Sequence, residues 1–343
     1  MRGLVLTGKG KLEIREFPKP KPGIGQIVVK IKVAAICGSD IHHYHRDPKP
    51  DDVLYISGHE PCGVVEEIGE GVEHVKLGQR VALYHYMGCD MCEHCAMGLP
   101  QHCLDGYGFG NPRLPGCDAD YLLCDAKYAV PLPEELSFID GCFAACVAGT
   151  AFRSLNSLQI NTRTSLCIYG LGPVGLSALV LAKAMNPKKI VCVDPNPVRR
   201  QMALEHGADL VLNGGEGDVE KIREFTNGGA ECSLETSGAI VAQRNIIESA
   251  AYFGKIAVIG FSPGYSKEGI VNLSSLILKG LTVFGSYVTA VSEFHQLLRF
   301  MVDNDIHFES LVTHRFPLEQ AEEAFRLFDT GNTGKVIFEL SQL

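Results

Sequence analysis

The chain has 343 residues, 46% hydrophobic and 21% charged, an ordinary globular balance whose length favours two domains over one core. A formal net charge of −9 with no block of like charges argues against nucleic acid as a partner. No stretch reaches roughly 18 consecutive apolar residues, and "MRGLVLTGKGKLEIREF" lacks the apolar centre of a signal peptide, so no membrane partner and a cytoplasmic location are expected.

The first 130 residues read as strand and loop, with "GQIVVKIKVAAICG" and "GVVEEIGEG" strand-like and Gly and Pro frequent between them. Two sets of soft donors lie in this region. The tight one is Cys89, Cys92, Cys95 and Cys103, a C-x2-C-x2-C-x7-C run that suits one closed, tetrahedral, structural zinc, with an iron–sulfur cluster, which uses the same ligand type, as the lesser alternative. Thirteen cysteines, an odd number, argue against a full disulfide framework. A redox CxxC wants a βαβ setting that this loop lacks, and Asp90 and Glu93 spoil the basic flanks of a DNA-reading finger. The dispersed set is Cys37 in "AAICGSDIHHYH", His59 and Glu60 in "SGHEPCG", and Cys146 in "FAACVAGTAF". Two sulfurs and one imidazole leave a fourth position open, as a catalytic zinc requires. Cys142, one helical turn before Cys146, competes for the third place on spacing alone. Glu60 adjoins His59 and is expected behind the ligands or on the metal only transiently. Cys62, Cys117, Cys124, Cys142, Cys167, Cys192 and Cys232 otherwise read as small buried hydrophobes.

From residue 134 the period changes, and "PEELSFIDGCFAACVAGTAFRSL" has helical spacing. Strand "SLCIYG" then leads into helix "PVGLSALVLAKAMN", and "KIVCVD" into "NPVRRQMALEHG". Next come "ADLVLN", "CSLETSG", a helix over 239–252, "GKIAVIG" and "LTVFGS", the alternation of a doubly wound parallel α/β sheet. Gly170, Gly172 and Gly175 form G-x-G-x-x-G between strand and helix, where backbone N–H groups and a helix N-terminus receive a pyrophosphate. Asp194, ending the next strand, is placed to accept both adenosine ribose hydroxyls and to repel a 2′-phosphate, so NAD is expected over NADP. Arg199 and Arg200 follow as a lid on the adenine. After about residue 288 come amphipathic "SEFHQLLRFMVDN" and "LEQAEEAFRLFD", then strand "GKVIFEL".

The GHE, CGSD, cysteine-lobe and GLGPVG motifs, in this order across nearly the whole chain, resemble the zinc-containing medium-chain alcohol dehydrogenases. Length and CGSD look closest to the sorbitol and threonine dehydrogenase branch, which commonly has Glu where this chain has Cys146. The resemblance implies a GroES-like β domain over residues 1–150, carrying the lobe and completed by 288–343, and a Rossmann domain over 151–287, with zinc and nicotinamide in the cleft. It implies a catalytic zinc on Cys37, His59 and Cys146, with Asp40 behind His59 and a proton relay through Ser39 and the nicotinamide ribose to His42. Pro173 and Val174 belong to the implied cofactor loop, Thr150 to the entry of the Rossmann domain, and Arg199 to the adenosine side. The implied reaction moves a hydride between a secondary alcohol or polyol and NAD, giving the ketone or aldehyde, in a homodimer or homotetramer. Alternatives are an NADPH-dependent carbonyl reductase, a zinc-free quinone reductase of the same fold, and a non-enzymatic dinucleotide-binding protein; the ligands and relay residues argue against the last two. His43, His45, Asp47 and Lys49 either line a pocket mouth or form a solvated loop.

Overall fold

The computed structural model describes residues 1–49, 51–261 and 272–340. The chain divides into two compact units, one of Met1–Gly149 with Thr289–Leu343 and one of Thr150–Val288. Among the described residues no single helix is long and apolar enough to cross a membrane.

The first unit is organised around the strand Gln26–Ala35, whose Val- and Ile-rich sequence suits a pleated, buried surface. One of its edges pairs antiparallel with Pro61–Ile68. The other is shared by Tyr121–Asp125, along Gln26–Lys30, and Lys335–Glu339, along Val33–Ala35. Arg80–Leu83 and Ala129–Pro131 extend the sheet on one side, and Val312–Phe316, which the period did not reveal, lies parallel to Lys335–Glu339 on the other. The amphipathic stretches are helices: Val291–Asp303 buries Phe294, Leu297, Leu298 and Met301, and Ala321–Asp329 buries Ala321, Ala324, Phe325 and Phe328.

The apolar run after residue 134 is two helices rather than one. A capping box between Ser137 and Asp140 starts Phe138–Ala145, which stops at Cys146 (φ −141°, ψ −76°) before Val147–Leu158 begins. The break frees the Ala145 carbonyl from the helical ladder. His85 fills the gap, donating from Nδ1 to that oxygen at 2.6 Å.

The second unit is a six-stranded parallel sheet in the order Leu210–Leu212, Lys189–Val193, Ser165–Tyr169, Ala230–Glu235, Ala250–Val258, Thr282–Gly285. The order reverses between Ser165–Tyr169 and Ala230–Glu235, the switch point at which doubly wound folds take their ligands. The helix expected over 239–252 spans Ile240–Ser249, because the chain enters the strand Ala250–Val258 at once. Helix Asp218–Thr226 went unread because its sequence is mostly polar, with Asp218 and Ile222 its buried residues.

Candidate metal and dinucleotide sites

In the first unit, one donor atom each from Cys37, His59, Glu60 and Cys146 lies within 4.8 Å of the others. Cys37 precedes the helix Gly38–His45, and Asp40 caps that helix by accepting the Cys37 N–H at 2.8 Å. The other oxygen of Asp40 lies 3.2 Å from His59 Nδ1. One carboxylate thus fixes two of the donors, and it leaves His59 Nε2 turned away, with Ser39 Oγ 3.4 Å from it. Ser39 and His42 sit three apart on the same helix and share a face.

The donors are electrostatically poised for a cation. A hydrogen bond from Cys146, aided by the His59 charge, pulls the Cys37 thiol well below its ordinary pKa against burial. The same bond and burial push the Cys146 thiol well up. Burial opposes the His59 charge, but Asp40 and Cys37 raise its pKa well above the usual value. Thiolate, imidazole and carboxylate at this spacing are a donor set that suits zinc.

Cys142 is not in this cluster; its Sγ donates to the Glu60 carbonyl at 2.9 Å and braces the backbone beside His59. All seven cysteines read as small buried hydrophobes are buried. His43, His45, Asp47 and Lys49 are exposed, with His45 Nε2 2.9 Å from Asp329 and Lys9 Nζ 4.0 Å from Asp47.

Sequence reasoning missed three residues around the cluster. Lys335 Nζ lies 2.5 Å from Glu60 Oε2, and both side chains are fully buried. His85 has its ring 5.4 Å from that of His59, and burial together with the His59 charge pulls its pKa down to about 3. Asp118 accepts from Ser57 Oγ at 3.0 Å, and burial beside Asp40 pushes its carboxyl up to about 8. A lysine inside the apolar "GKVIFEL" was the available signal, since a charge there is buried only against a partner.

The second cluster joins the sulfurs of Cys89, Cys92, Cys95 and Cys103 within 4.8 Å. Asp90 takes a left-handed φ of 61°, and the N–H groups of Met91 and Cys92 turn onto the Cys89 sulfur, lowering its pKa to about 7. Desolvation and the neighbouring Cys92 push Cys95 up to about 12. A side chain at Gly88 would collide with the Cys95 sulfur, so only glycine fits there. Met91 and Leu104 point into solvent, 89% and 94% exposed, so this loop has little apolar core of its own.

In the second unit, Gly170 has φ +90° and Gly172 precedes the helix Pro173–Met185, in which Val174 and Gly175 follow. A Cβ at Gly175 would strike the Gly170 carbonyl, which fixes the close helix–strand approach. A Cβ at Gly172 would stand in open space, with the Arg199 guanidinium 3.8 Å away as its one near neighbour, so the backbone there is approachable by a phosphate. Asp194 accepts the Leu171 N–H at 2.6 Å and the Asn196 N–H at 2.7 Å, one on each oxygen. Each oxygen keeps a lone pair for a ribose hydroxyl. Arg200 Nη1 donates to the Asp194 and Pro195 carbonyls at 2.9 and 2.7 Å, which anchors this side chain at the end of the strand. Thr150 is buried, its carbonyl accepting from Ser154 Oγ at 2.9 Å.

Residues 23–134 match the alcohol dehydrogenase GroES-like domain and 173–303 the zinc-binding dehydrogenase domain. The chain is 35% identical to the uncharacterized zinc-type alcohol dehydrogenase-like protein YphC of Escherichia coli K12, covering 98% of each. It is 28% identical to an L-threonine 3-dehydrogenase of Legionella pneumophila, over 98% of this chain and 99% of that one. Among solved structures, a protein described as a short chain alcohol dehydrogenase (rspB) from E. coli CFT073, complexed with NADH, aligns with a TM-score of 0.89 at 26% identity, covering 99% of each chain. The chain therefore belongs to the zinc-containing medium-chain alcohol dehydrogenase family: it is an oxidoreductase with a GroES-like domain and a Rossmann fold.

Proposed function

We propose that this protein oxidises a secondary alcohol or polyol to the ketone or aldehyde, with NAD as hydride acceptor. The observation that carries the reading is the convergence of Cys37, His59 and Cys146 with Glu60, at a spacing that would hold zinc on three donors and leave one position for substrate. Zinc so held supplies Lewis-acid polarisation of an alcohol oxygen. Asp40 keeps His59 in the tautomer that offers Nε2. Ser39, beside that nitrogen, takes the proton of the alcohol and passes it toward His42.

In the second unit, the Gly170–Gly175 turn, with Pro173 and Val174 opening the helix, receives the pyrophosphate. Asp194 receives the adenosine ribose hydroxyls, and Arg199 lies beside the loop for the adenosine side of the cofactor. A 2′-phosphate would meet the Asp194 charge, which supports NAD over NADP. The relative solved with NADH supports the same cofactor. Cys89, Cys92, Cys95 and Cys103 hold a second zinc with a purely structural role.

The test is NADH formation by the purified protein over a panel of primary alcohols, secondary alcohols and polyols. Turnover of secondary alcohols or polyols that a chelator abolishes and added zinc restores is expected. NAD-linked turnover indifferent to metal removal contradicts the reading.

A further inference from the structure

Lys335 is a buried charge that the proposed chemistry leaves unused. It lies on Lys335–Glu339, the strand that joins the sheet at the upper end of Gln26–Ala35, just before Cys37. Its Nζ and Glu60 Oε2 are 2.5 Å apart, and neither side chain is exposed to solvent. Neither Glu60 oxygen nor the ammonium makes a well-directed hydrogen bond, so charge and proximity hold the pair. A Glu60 oxygen also stands within 4.8 Å of the Cys37, His59 and Cys146 donors. Glu60 is thus placed between two cations, the ammonium of Lys335 and the metal that the three donors would hold. The charges match this arrangement. With a divalent ion bound, the two thiols are thiolates and the site carries three negative groups with the carboxylate; the ion offsets two and Lys335 the third. An ammonium is sequestered from water only against such a partner.

We propose that Lys335 is a positioning residue that holds Glu60 off the metal and so keeps the fourth coordination position open for the alcohol. The inference rests on the metal-site reading above. Without the ammonium, Glu60 loses its cation partner at 2.5 Å, the carboxylate moves onto the metal, and substrate must displace an anionic ligand.

The test replaces zinc by cobalt in the full-length protein and follows the visible absorption that responds to added alcohol, together with the rate of metal loss to a chelator. Lys335→Met is expected to change that absorption, slow metal release and lower kcat/KM at least tenfold, chiefly through KM. Adding Glu60→Gln to Lys335→Met should return the absorption and the release rate toward wild type, and Lys335→Arg should leave the absorption near wild type. Glu60→Gln alone should leave the absorption unchanged, because Glu60 is off the metal in the wild type. A changed spectrum in Glu60→Gln overturns the inference even if Lys335→Met does not fold. So does a folded Lys335→Met variant with the wild-type spectrum, or one that Glu60→Gln does not rescue. A wild-type protein with no alcohol-responsive cobalt absorption defeats the metal-site reading itself, and is told apart by the absence of that signal from every variant.

Discussion

Cys146 and Cys142 are one helical turn apart, yet the chain treats them differently. Cys146 sits where the helix breaks, and its sulfur joins Cys37 and His59; Cys142 stays in the helix and donates to the Glu60 carbonyl. Cys146→Ser should therefore cut kcat by orders of magnitude while NADH affinity, followed by cofactor fluorescence, is nearly unchanged. Cys142→Ser should be mild, because a hydroxyl can keep the bond to Glu60. The reverse pattern in steady-state kinetics would move the third ligand to Cys142. Asp194 supports a second prediction. Two unit charges about 4 Å apart repel by roughly 4 kcal/mol at an effective dielectric of 20, so the wild type should prefer NAD over NADP by at least about a hundredfold in kcat/KM. Asp194→Ala should narrow that ratio. Because Asp194 also holds the Leu171 N–H, its loss weakens both cofactors, and the ratio rather than either value is the readout. Equal use of the two cofactors by the wild type would contradict the assignment.

At the scale of elements, the cysteine lobe has exposed apolar side chains and four converging sulfurs, so metal rather than burial would hold its shape. Cys103→Ala should lower the thermal midpoint and leave about one zinc per chain in place of about two. An unchanged midpoint and zinc content would remove the structural role. Asp140 joins two elements of the first unit: it caps Phe138–Ala145 through the Ser137 N–H at 2.9 Å and accepts the Phe308 N–H at 2.8 Å. Asp140→Ala loses the cap and strands a buried N–H, which should cost about 2–4 kcal/mol in urea unfolding. Elements with a clean period were legible: the strand Gln26–Ala35, the Ser165–Tyr169 strand with its glycine turn, and the helix Val291–Asp303 all follow from apolar spacing. The break at Cys146 was not, because the Ala145 carbonyl is satisfied by His85, sixty residues upstream (145 − 85), and no local window contains both.

At the scale of the whole molecule, the first unit is assembled from both ends of the sequence, and its site follows suit. The cysteine and histidine donors were legible because their chemistry is rare and their motifs short. Lys335 was not, since its partner Glu60 is brought to it only by pairing of the last strand with Gln26–Ala35. The central claim is that two metal sites serve different purposes, one for chemistry and one for fold. Stepwise return of zinc to metal-depleted protein, with bound zinc and NADH formation from a secondary alcohol followed together, tests it most directly. The account predicts uptake of about two zincs per chain, with activity following the filling of only one of them. Full NAD-linked activity in a chain that binds no zinc would contradict it.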